Sequence, residues 1–356
     1  MAEKIKSSAS PSTRKMRPIS VGVIGLGRAG WDIHVKRLRG DERFKIVAVT
    51  DFQTDRLKEA RDEFGCQTFA SFDEMLKGSD CELVVVASQS VAHGPQAIAA
   101  FKAGRHVVTE KPMAMSVAEA SRMIKASETA NKKLFVHQNY RYHGDVQHIL
   151  DIIKSKVLGD VFEVRIRLLS FSRRNDWQTL QKYGGGCLNN TCPHFIDAAL
   201  LILDSPVAKM FSDLKLTTDV GDADDHVKVL LKGENGRVVD LEVSTSCAFS
   251  ESKWTLLGTR GTLRSDGKTS ELKYFDPKKL KPLKVYETPP ENRKYGSGDV
   301  IEWIEETRPT SAEIKSDFYD NVFDVLRRNK KQEITPESVR EVIRVIERAH
   351  RENPPL

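Results

Sequence analysis

A glycine-rich turn near the start of the chain limits the possible folds more than any other feature. The apolar run ISVGVI at 19–24 leads directly into GLGRAG at 25–30, and a helical stretch follows it. Further short apolar runs, KIVAVTD, ELVVVAS, RHVVTEK and KLFVHQ, alternate with helical stretches up to about residue 138. Strand-length apolar runs that alternate with helices predict βαβ units and a parallel sheet buried on both faces.

The pattern of apolar residues changes beyond residue 140. A predicted helix at 145–156 is followed by VFEVRIRLLSF, in which apolar and polar residues alternate as in a half-exposed strand. KVLLKG, RVVDLEVSTS and WTLLGTRGTLRS alternate too, and glycine-containing turns join them, which predicts antiparallel strands. Two helices are predicted at the end of the chain, at about 312–328 and 336–350, with Thr335 as the N-cap of the second.

These patterns predict an α/β protein of two domains. We expect an N-terminal doubly wound Rossmann sheet over residues 19–138 and a C-terminal α+β domain with an open, mostly antiparallel sheet over 139–356. The terminal helices could pack back on the first domain. Residues 277–310, rich in Lys, Pro and Glu, predict a long surface excursion, and the basic residues 1–18 predict a flexible arm.

Composition excludes several classes of protein. The formal net charge is +6, but Lys and Arg are interleaved with Asp and Glu, which indicates a solvated surface rather than a nucleic-acid partner. No apolar run approaches the roughly 20 residues that span a bilayer, so no membrane partner is expected. Five cysteines without a CxxC pair predict neither a disulfide framework nor a metal site, and they favour a reducing, cytoplasmic location.

The glycines at 25, 27 and 30 have the spacing of a dinucleotide fingerprint. The first permits the tight turn, the second lets a pyrophosphate approach the backbone, and the third lets helix and strand pack closely. Asp51 ends the second strand, where a carboxylate would bind the ribose hydroxyls. Because this carboxylate would repel a 2′-phosphate, NAD is favoured over NADP, although Arg56 one turn later leaves NADP open.

Two further motifs complete a pattern that resembles a known family. With HVVTEKP at 106–112 and GGGCLNNTCPHFID at 184–197, the chain is similar to the glucose–fructose oxidoreductase, inositol dehydrogenase and rhizopine-catabolism (Gfo/Idh/MocA) family from residue 19 to the terminal helices. The resemblance implies a Rossmann domain followed by a domain whose open sheet covers the nicotinamide with one face. The other face commonly forms a subunit interface, so we expect a homo-oligomer, a dimer or a tetramer.

The resemblance also implies site residues. It makes Lys111 the active-site lysine and His194 its partner, with Asn190 where many relatives carry Asp. The expected cofactor-binding residues are Gly25, Leu26, Gly27, Arg28, Ala29, Asp51, Ser88, Gln89, His93, Glu110, Lys111 and Asn139. The expected substrate-binding residues are Tyr142, Arg173, Asn175, Trp177, Asn190 and His194. Glu110 could equally be structural, and Trp177 could equally serve only packing.

Hydride transfer from an alcohol needs a group that takes the hydroxyl proton and a group that stabilises the alkoxide. His194 suits the first role and Lys111 the second. Asn190, four residues before His194, is expected on the same helix face, where it could orient the imidazole or bind substrate. The three glycines at 184–186 are expected to form the floor of a sugar-sized site.

The sequence therefore predicts an NAD-dependent oxidoreductase that acts on a secondary alcohol of a small-molecule sugar, cyclitol or glycoside. One alternative is an enzyme that retains NAD and oxidises its substrate transiently, so that the net reaction is glycoside hydrolysis or lyase cleavage. Another is a non-catalytic NAD-binding regulator. The presence of both Lys111 and His194 favours an enzyme over a regulator.

Overall fold

A computed structural model of the chain describes residues 16–288, 296, 298–310 and 317–354. The predicted flexible arm at 1–18 lies almost wholly outside the described residues. Within the described part of the chain, no helix has the length and apolar character needed to cross a membrane.

The first sheet has six strands, and every pair of neighbours is parallel. The strands are β1 (Ile19–Ile24), β2 (Phe44–Thr50), β3 (Gln67–Phe69), β4 (Leu83–Val86), β5 (His106–Thr109) and β6 (Leu134–Val136). Their order is β3-β2-β1-β4-β5-β6, so the direction of winding reverses between β1 and β4. In such a doubly wound sheet the ligand crevice lies outside the carboxyl ends of the strands at this reversal. The predicted Rossmann sheet is thus confirmed.

Helices connect the strands of this sheet, and two of them begin at a capping serine. After the glycine turn comes a π-helical stretch, Ala29–Val35, which continues as α1 (Lys36–Leu38). The others are α2 (Thr54–Phe64), α3 (Phe72–Gly78), α4 (His93–Lys102) and α5 (Val117–Thr129). Ser71 and Ser116 cap α3 and α5, each accepting a hydrogen bond from the amide three residues later.

The second sheet has eight strands and is mostly antiparallel, as predicted. The strands are β7 (Val161–Leu169), β8 (Val207–Lys215), β9 (His226–Gly233), β10 (Val238–Ser244), β11 (Trp254–Gly258), β12 (Gly261–Ser265), β13 (Thr269–Tyr274) and β14 (Ile304–Pro309). Their order is β14-β13-β12-β11-β7-β10-β9-β8, and only β7 and β10 run parallel. One face of the sheet is packed against α8 (Cys192–Leu203).

The expected excursion at 277–310 is partly wrong, because β14 joins the sheet as its edge strand. Its sequence, IEETRP, carries charged residues on both faces and therefore shows no apolar alternation. The strand is instead stabilised by its pairing with β13, through backbone hydrogen bonds and an ion pair between Lys273 Nζ and Glu305 Oε1 at 2.7 Å. Edge strands often carry charges of this kind, which limit pairing with other chains.

In the described part of the chain, four further α-helices lie beyond the first sheet. They are α6 (Gly144–Ser155), α7 (Cys187–Asn190), α9 (Phe318–Arg328) and α10 (Pro336–Glu352). The predicted start of the penultimate helix at 312 falls outside the described residues, and Asp317 caps the observed start. Thr335 caps α10 by accepting the Ser338 amide, as predicted. Both terminal helices contact the N-terminal half: Tyr319 hydrogen-bonds His34 at 2.6 Å, and α10 packs against α5.

Candidate active site between the two sheets

A single cavity of about 1300 Å³ runs along the carboxyl ends of β1 and β4 and continues beneath the second sheet. Asp51 and Arg56 lie at one end, and His194 and Trp177 lie at the other. The glycine turn and Lys111 line the cavity between these ends. Its extent suits a dinucleotide together with a second, smaller molecule.

The glycine turn is shaped by contacts that exclude side chains. Gly25 has φ +87°, and a Cβ there would lie 2.6 Å from the Ala87 carbonyl oxygen. A Cβ on Gly30 would lie 1.8 Å from the Gly25 carbonyl oxygen. Gly27 instead faces open space, with the nearest atom, Arg56 Nη1, 3.8 Å from a hypothetical Cβ. The first and third glycines therefore form the turn, and the second leaves room for a phosphate group.

Asp51 is held rigidly at the end of β2. Its Oδ2 accepts the Leu26 amide at 2.6 Å, its Oδ1 accepts the Gln53 amide at 2.8 Å, and Arg56 Nη1 lies 3.5 Å from Oδ2. Leu26 is buried and does not line the cavity, although it was predicted to bind the cofactor. Its amide instead fixes Asp51. All the other predicted cofactor-binding residues line the cavity.

Two turns near the middle of the cavity are tied together by His93. Its Nδ1 lies 2.8 Å from the Pro112 carbonyl oxygen, and its Nε2 lies 3.2 Å from that of Ser88. The Ser88 hydroxyl donates to Gln96 at 2.6 Å. These bonds hold the turn after β4 against the turn after β5, where Lys111 lies.

Lys111 joins the two halves of the molecule. Its ammonium donates to the backbone carbonyl oxygen of Asn190 at 2.7 Å, and its amide donates to Glu110 Oε2 at 3.1 Å. The Lys111–Pro112 peptide bond is cis. Burial lowers the pKa of Lys111; the nearby Glu110 carboxylate opposes that shift, and Arg28 adds to it. The ammonium is thus positioned in the cavity and releases its proton more readily than a free lysine.

His194 lines the cavity, and aromatic stacking holds its ring. Its ring stacks on Tyr140 with centroids 4.3 Å apart, and Tyr140 stacks on His143 at 4.0 Å. Nδ1 of His194 is buried and has no hydrogen-bond partner among the described residues. Burial, followed by the charge of Lys111, lowers the pKa of His194 to about 3. The imidazole is therefore neutral near pH 7 and can accept a proton.

Behind Lys111 lies a buried cluster that the sequence reasoning missed. Glu110 Oε1 lies 3.0 Å from His34 Nε2 and 2.7 Å from His137 Nδ1, and His34 Nδ1 bonds Tyr319. His34, Glu110 and His137 have donor atoms close enough to hold a metal ion, but these separations are those of direct hydrogen bonds. Burial opposes ionisation of Glu110, yet the histidines outweigh it and hold its pKa well below the usual value. No periodic pattern links residues so far apart.

The predicted continuous helix face with Asn190 and His194 is wrong. Helix α7 ends at Asn190, Thr191 separates the two elements, and α8 begins at Cys192. The reason is Pro193, which has no amide to bond the carbonyl four residues earlier. Asn190 still lines the cavity, but it contributes its carbonyl oxygen to Lys111 and its side-chain amide to the Gln178 carbonyl at 3.5 Å.

The three glycines at 184–186 do not form the floor of the site, because none of them lines the cavity. Gly184 and Gly186 have φ +73° and +99°. A Cβ on Gly185 would lie 2.4 Å from the Gln178 carbonyl oxygen, and one on Gly186 would lie 2.3 Å from Asp224 Oδ1. Their role is to let two neighbouring loops pack closely against the start of α7.

Only some of the predicted substrate-binding residues line the cavity. Trp177, Asn190 and His194 line the cavity, whereas Arg173 and Asn175 do not, and their neighbours Arg174 and Asp176 do. Arg173 instead donates to the Thr218 carbonyl at 3.2 Å, which turns its side chain away from the cavity.

Tyr142 also lies apart from the main cavity. It lines a second cavity of about 180 Å³, which shares Asn139 and His143 with the first. The NYRY motif therefore contributes Asn139 and Tyr140 to the main cavity rather than Tyr142.

Solved structures share this architecture. An NAD-binding protein from Listeria innocua is 25% identical, with a TM-score of 0.79 over 94% of this chain and 95% of that one. The WlbA dehydrogenase of Bordetella pertussis, solved with NADH and UDP-GlcNAcA, is 23% identical, with a TM-score of 0.73 over 96% and 99%. At this identity, the second similarity concerns the fold alone.

Sequence comparisons agree with the fold. The myo-inositol 2-dehydrogenase of Thermotoga maritima is 27% identical over 69% of this chain and 75% of its own length. The glucose-6-phosphate 3-dehydrogenase of Bacillus subtilis is 26% identical over 83% and 91%. Residues 19–138 match the oxidoreductase family with an NAD-binding Rossmann fold, and residues 146–264 match the GFO/IDH/MocA C-terminal domain. The motifs, the two sheets and these matches agree: the chain belongs to the Gfo/Idh/MocA family of NAD-binding oxidoreductases.

Proposed function

We propose that the protein is an NAD-dependent dehydrogenase that transfers a hydride between nicotinamide and a secondary alcohol of a sugar, cyclitol or glycoside. The observation that carries the proposal is the placement of Lys111, whose Nζ is fixed by the Asn190 carbonyl, and of the His194 imidazole in the cavity that also contains the glycine turn. Named dehydrogenases of inositol and of glucose 6-phosphate among the relatives support the substrate class.

The residues present fit a dinucleotide. Gly27 leaves the space that a phosphate needs, and Asp51 offers a fixed carboxylate to the ribose hydroxyls. That carboxylate supports NAD over NADP; Arg56, 3.5 Å from it, is the residue that could reverse the preference. Bound nicotinamide would supply the hydride acceptor.

The chain's own residues would handle the proton and the developing charge. The neutral imidazole of His194, which lines the cavity, takes the hydroxyl proton. The Lys111 ammonium, fixed by the Asn190 carbonyl, stabilises the alkoxide oxygen. Tyr140 holds the His194 ring by stacking on it.

The experiment that tests the proposal is a panel of neutral and charged sugars, cyclitols and glycosides, incubated with NAD while the absorbance of reduced cofactor is followed. Net reduction with at least one carbohydrate is expected. Conversion of a glycoside with tightly retained cofactor and no net reduction would instead indicate the hydrolase or lyase alternative. Binding of NAD without conversion of any panel member would favour a regulator.

We also propose that the chain forms a homo-oligomer through the outer face of the second sheet. That face carries paired charges, including Lys228–Glu242 at 2.9 Å, beside the exposed apolar side chains of Phe211 and Leu230. A large sheet with one face on a core leaves the other to solvent or to a partner. Sedimentation at micromolar concentration should give a dimer or tetramer; a monomer would contradict this.

A further inference from the structure

The substrate end of the cavity is bounded by the loop at residues 171–183, here called the substrate loop. Arg174, Asp176, Trp177 and Gln178 of this loop line the cavity. The Trp177 side chain, with the residue 37% exposed, belongs to a short 3-10 turn, Trp177–Thr179. An exposed tryptophan in a concave site is a suitable platform for the apolar face of a sugar ring.

Asp176 organises this loop in two ways. Its Oδ1 accepts the Gln178 amide at 2.8 Å and so caps the turn that carries Trp177. Its Oδ2 accepts a hydrogen bond from Arg174 Nη2 at 2.7 Å. Of the cationic side chains that line the cavity, Arg28 and Arg56 are at the cofactor end, and Lys111 is directed at the Asn190 carbonyl. Among the described residues, the remaining cation of the lining is Arg174, and it is already paired with Asp176.

A second segment, residues 217–225, lies behind the substrate loop and is called the acidic loop. Its carboxylates are bound to backbone amides: Asp219 accepts Arg174 N at 2.6 Å, Asp222 accepts Gln181 N at 2.7 Å, and Asp224 accepts Leu188 N at 2.8 Å. The two loops together contain five aspartates against three cations, Arg173, Arg174 and Lys182. This excess of negative charge disfavours an anion at the substrate end.

We propose that the substrate is an uncharged sugar, cyclitol or glycoside whose apolar face lies on Trp177 and whose hydroxyl groups bind the Arg174–Asp176 pair. This inference rests on the proposed dehydrogenase function and narrows its substrate class. Arg174 supplies donors and Asp176 supplies acceptors, which is what a pair of neighbouring hydroxyls requires. Sugar phosphates and uronates are selected against, because they would have to displace Asp176 from Arg174.

The first test compares matched substrates: glucose with glucose 6-phosphate and glucuronate, and myo-inositol with its 1-phosphate. The wild-type protein should oxidise a neutral member with kcat/KM at least about tenfold above its anionic partner, the size of one charge contact. A preference for the anionic member would overturn the inference and leave the proposed dehydrogenase intact. If no member is oxidised, calorimetric binding of the same pairs to the NADH-loaded protein still decides the charge preference.

The second test uses Asp176→Asn, which keeps the oxygen that accepts the Gln178 amide and removes the charge that pairs with Arg174. The ratio of kcat/KM for anionic over neutral substrate should rise about fivefold, mainly through KM, because the side chains of the Arg174–Asp176 pair are 42% and 48% exposed. Asp222→Asn is the matched control, since it makes the same charge change but leaves Arg174 paired. An equal rise in the control would show a general field effect and would overturn the role of the pair.

A third comparison addresses Trp177. Trp177→Phe keeps an aromatic platform and should raise KM for the neutral substrate only slightly, whereas Trp177→Ala should raise it roughly tenfold to a hundredfold. The affinity for NADH should stay unchanged in both variants, because the residue lies at the other end of the cavity. An unchanged KM in Trp177→Ala would show that the sugar ring does not lie on Trp177 and would contradict this part of the proposal.

Discussion

The two ends of the cavity are built by different kinds of contact. At the cofactor end, the turn after β1 and the end of β2 are adjacent parts of one parallel sheet, and Asp51 binds the Leu26 amide directly. At the substrate end, segments far apart in the chain meet, as in the bonds from Arg174 to Asp219 and from Leu188 to Asp224. Regular elements therefore form the cofactor end, whereas loops form the end that we propose binds the substrate.

Lys111 and His194 both line the cavity, and their loss should have the largest effect. Lys111→Ala and His194→Ala should each lower kcat by roughly 10²–10⁴, the usual range for a positioned acid or base. Affinity for NADH, measured by fluorescence titration, should change little, because the glycine turn and Asp51 are intact. Lys182→Ala on the substrate loop is the control lysine. Full activity of His194→Ala would show that another group takes the proton.

At the cofactor end, Asp51→Ala should weaken NAD binding by roughly 10- to 100-fold, because a hydrogen bond to a charged group contributes about 1.5–3 kcal/mol. The affinity for NADP should fall less, so the preference for NAD over NADP would become smaller. Arg56→Ala should leave NAD binding nearly unchanged. Titration of both cofactors against the wild type and the two variants checks this; a wild type that binds NADP more tightly would contradict it and implicate Arg56 or Arg28.

Gly186→Ala should disrupt the packing of the loops at the substrate end. An alanine there must adopt φ +99° and bring its Cβ within 2.3 Å of Asp224 Oδ1. We expect a loss of more than about 2 kcal/mol in the free energy of unfolding, together with reduced activity as the carbonyl that holds Lys111 moves. Gly236→Ala is the control, since Gly236 has φ +85° with open space around it, and it should cost about 1 kcal/mol. Equal losses in urea unfolding would show that strain alone, not the loop contact, sets the cost.

The smallest predicted effect is a shift in pH dependence with Asn190→Asp. The new carboxylate would be repelled by the Gln178 carbonyl oxygen that the Asn190 amide now faces, and would turn toward the cavity. A nearby negative charge favours the charged imidazole, so the pKa of His194 should rise from about 3 by roughly one unit.

Oxidation needs neutral His194 and is lost as the pH falls through its pKa. The acid limb of kcat/KM should therefore move to higher pH in Asn190→Asp but not in Asn190→Ala. An unmoved limb in the aspartate variant, with His194 still essential, would show that the two side chains do not interact.

Much of the cofactor end was predictable from sequence. The spacing of Gly25, Gly27 and Gly30 and the position of Asp51 depend on the repeat of strand, turn and helix, which is local. Lys111 and His194 were predicted from the resemblance of their motifs to the family, and the structure brings both to one cavity. The interruption at Thr191 could have been inferred from Pro193, whose effect on a helix is local too.

What the tertiary structure alone decided was which side chains of the loops face the cavity. Nothing in RRNDW distinguishes Arg173 from Arg174; the bond from Arg173 to Thr218 and the approach of the acidic loop make that choice. The same holds for Glu110, whose histidine partners lie on separate elements, and for β14, which acquires its strand character from β13. Elements with a repeating pattern can be predicted from sequence, because their periodic burial depends on neighbouring residues. Contacts between distant segments carry no such repeat, and only the folded chain defines them.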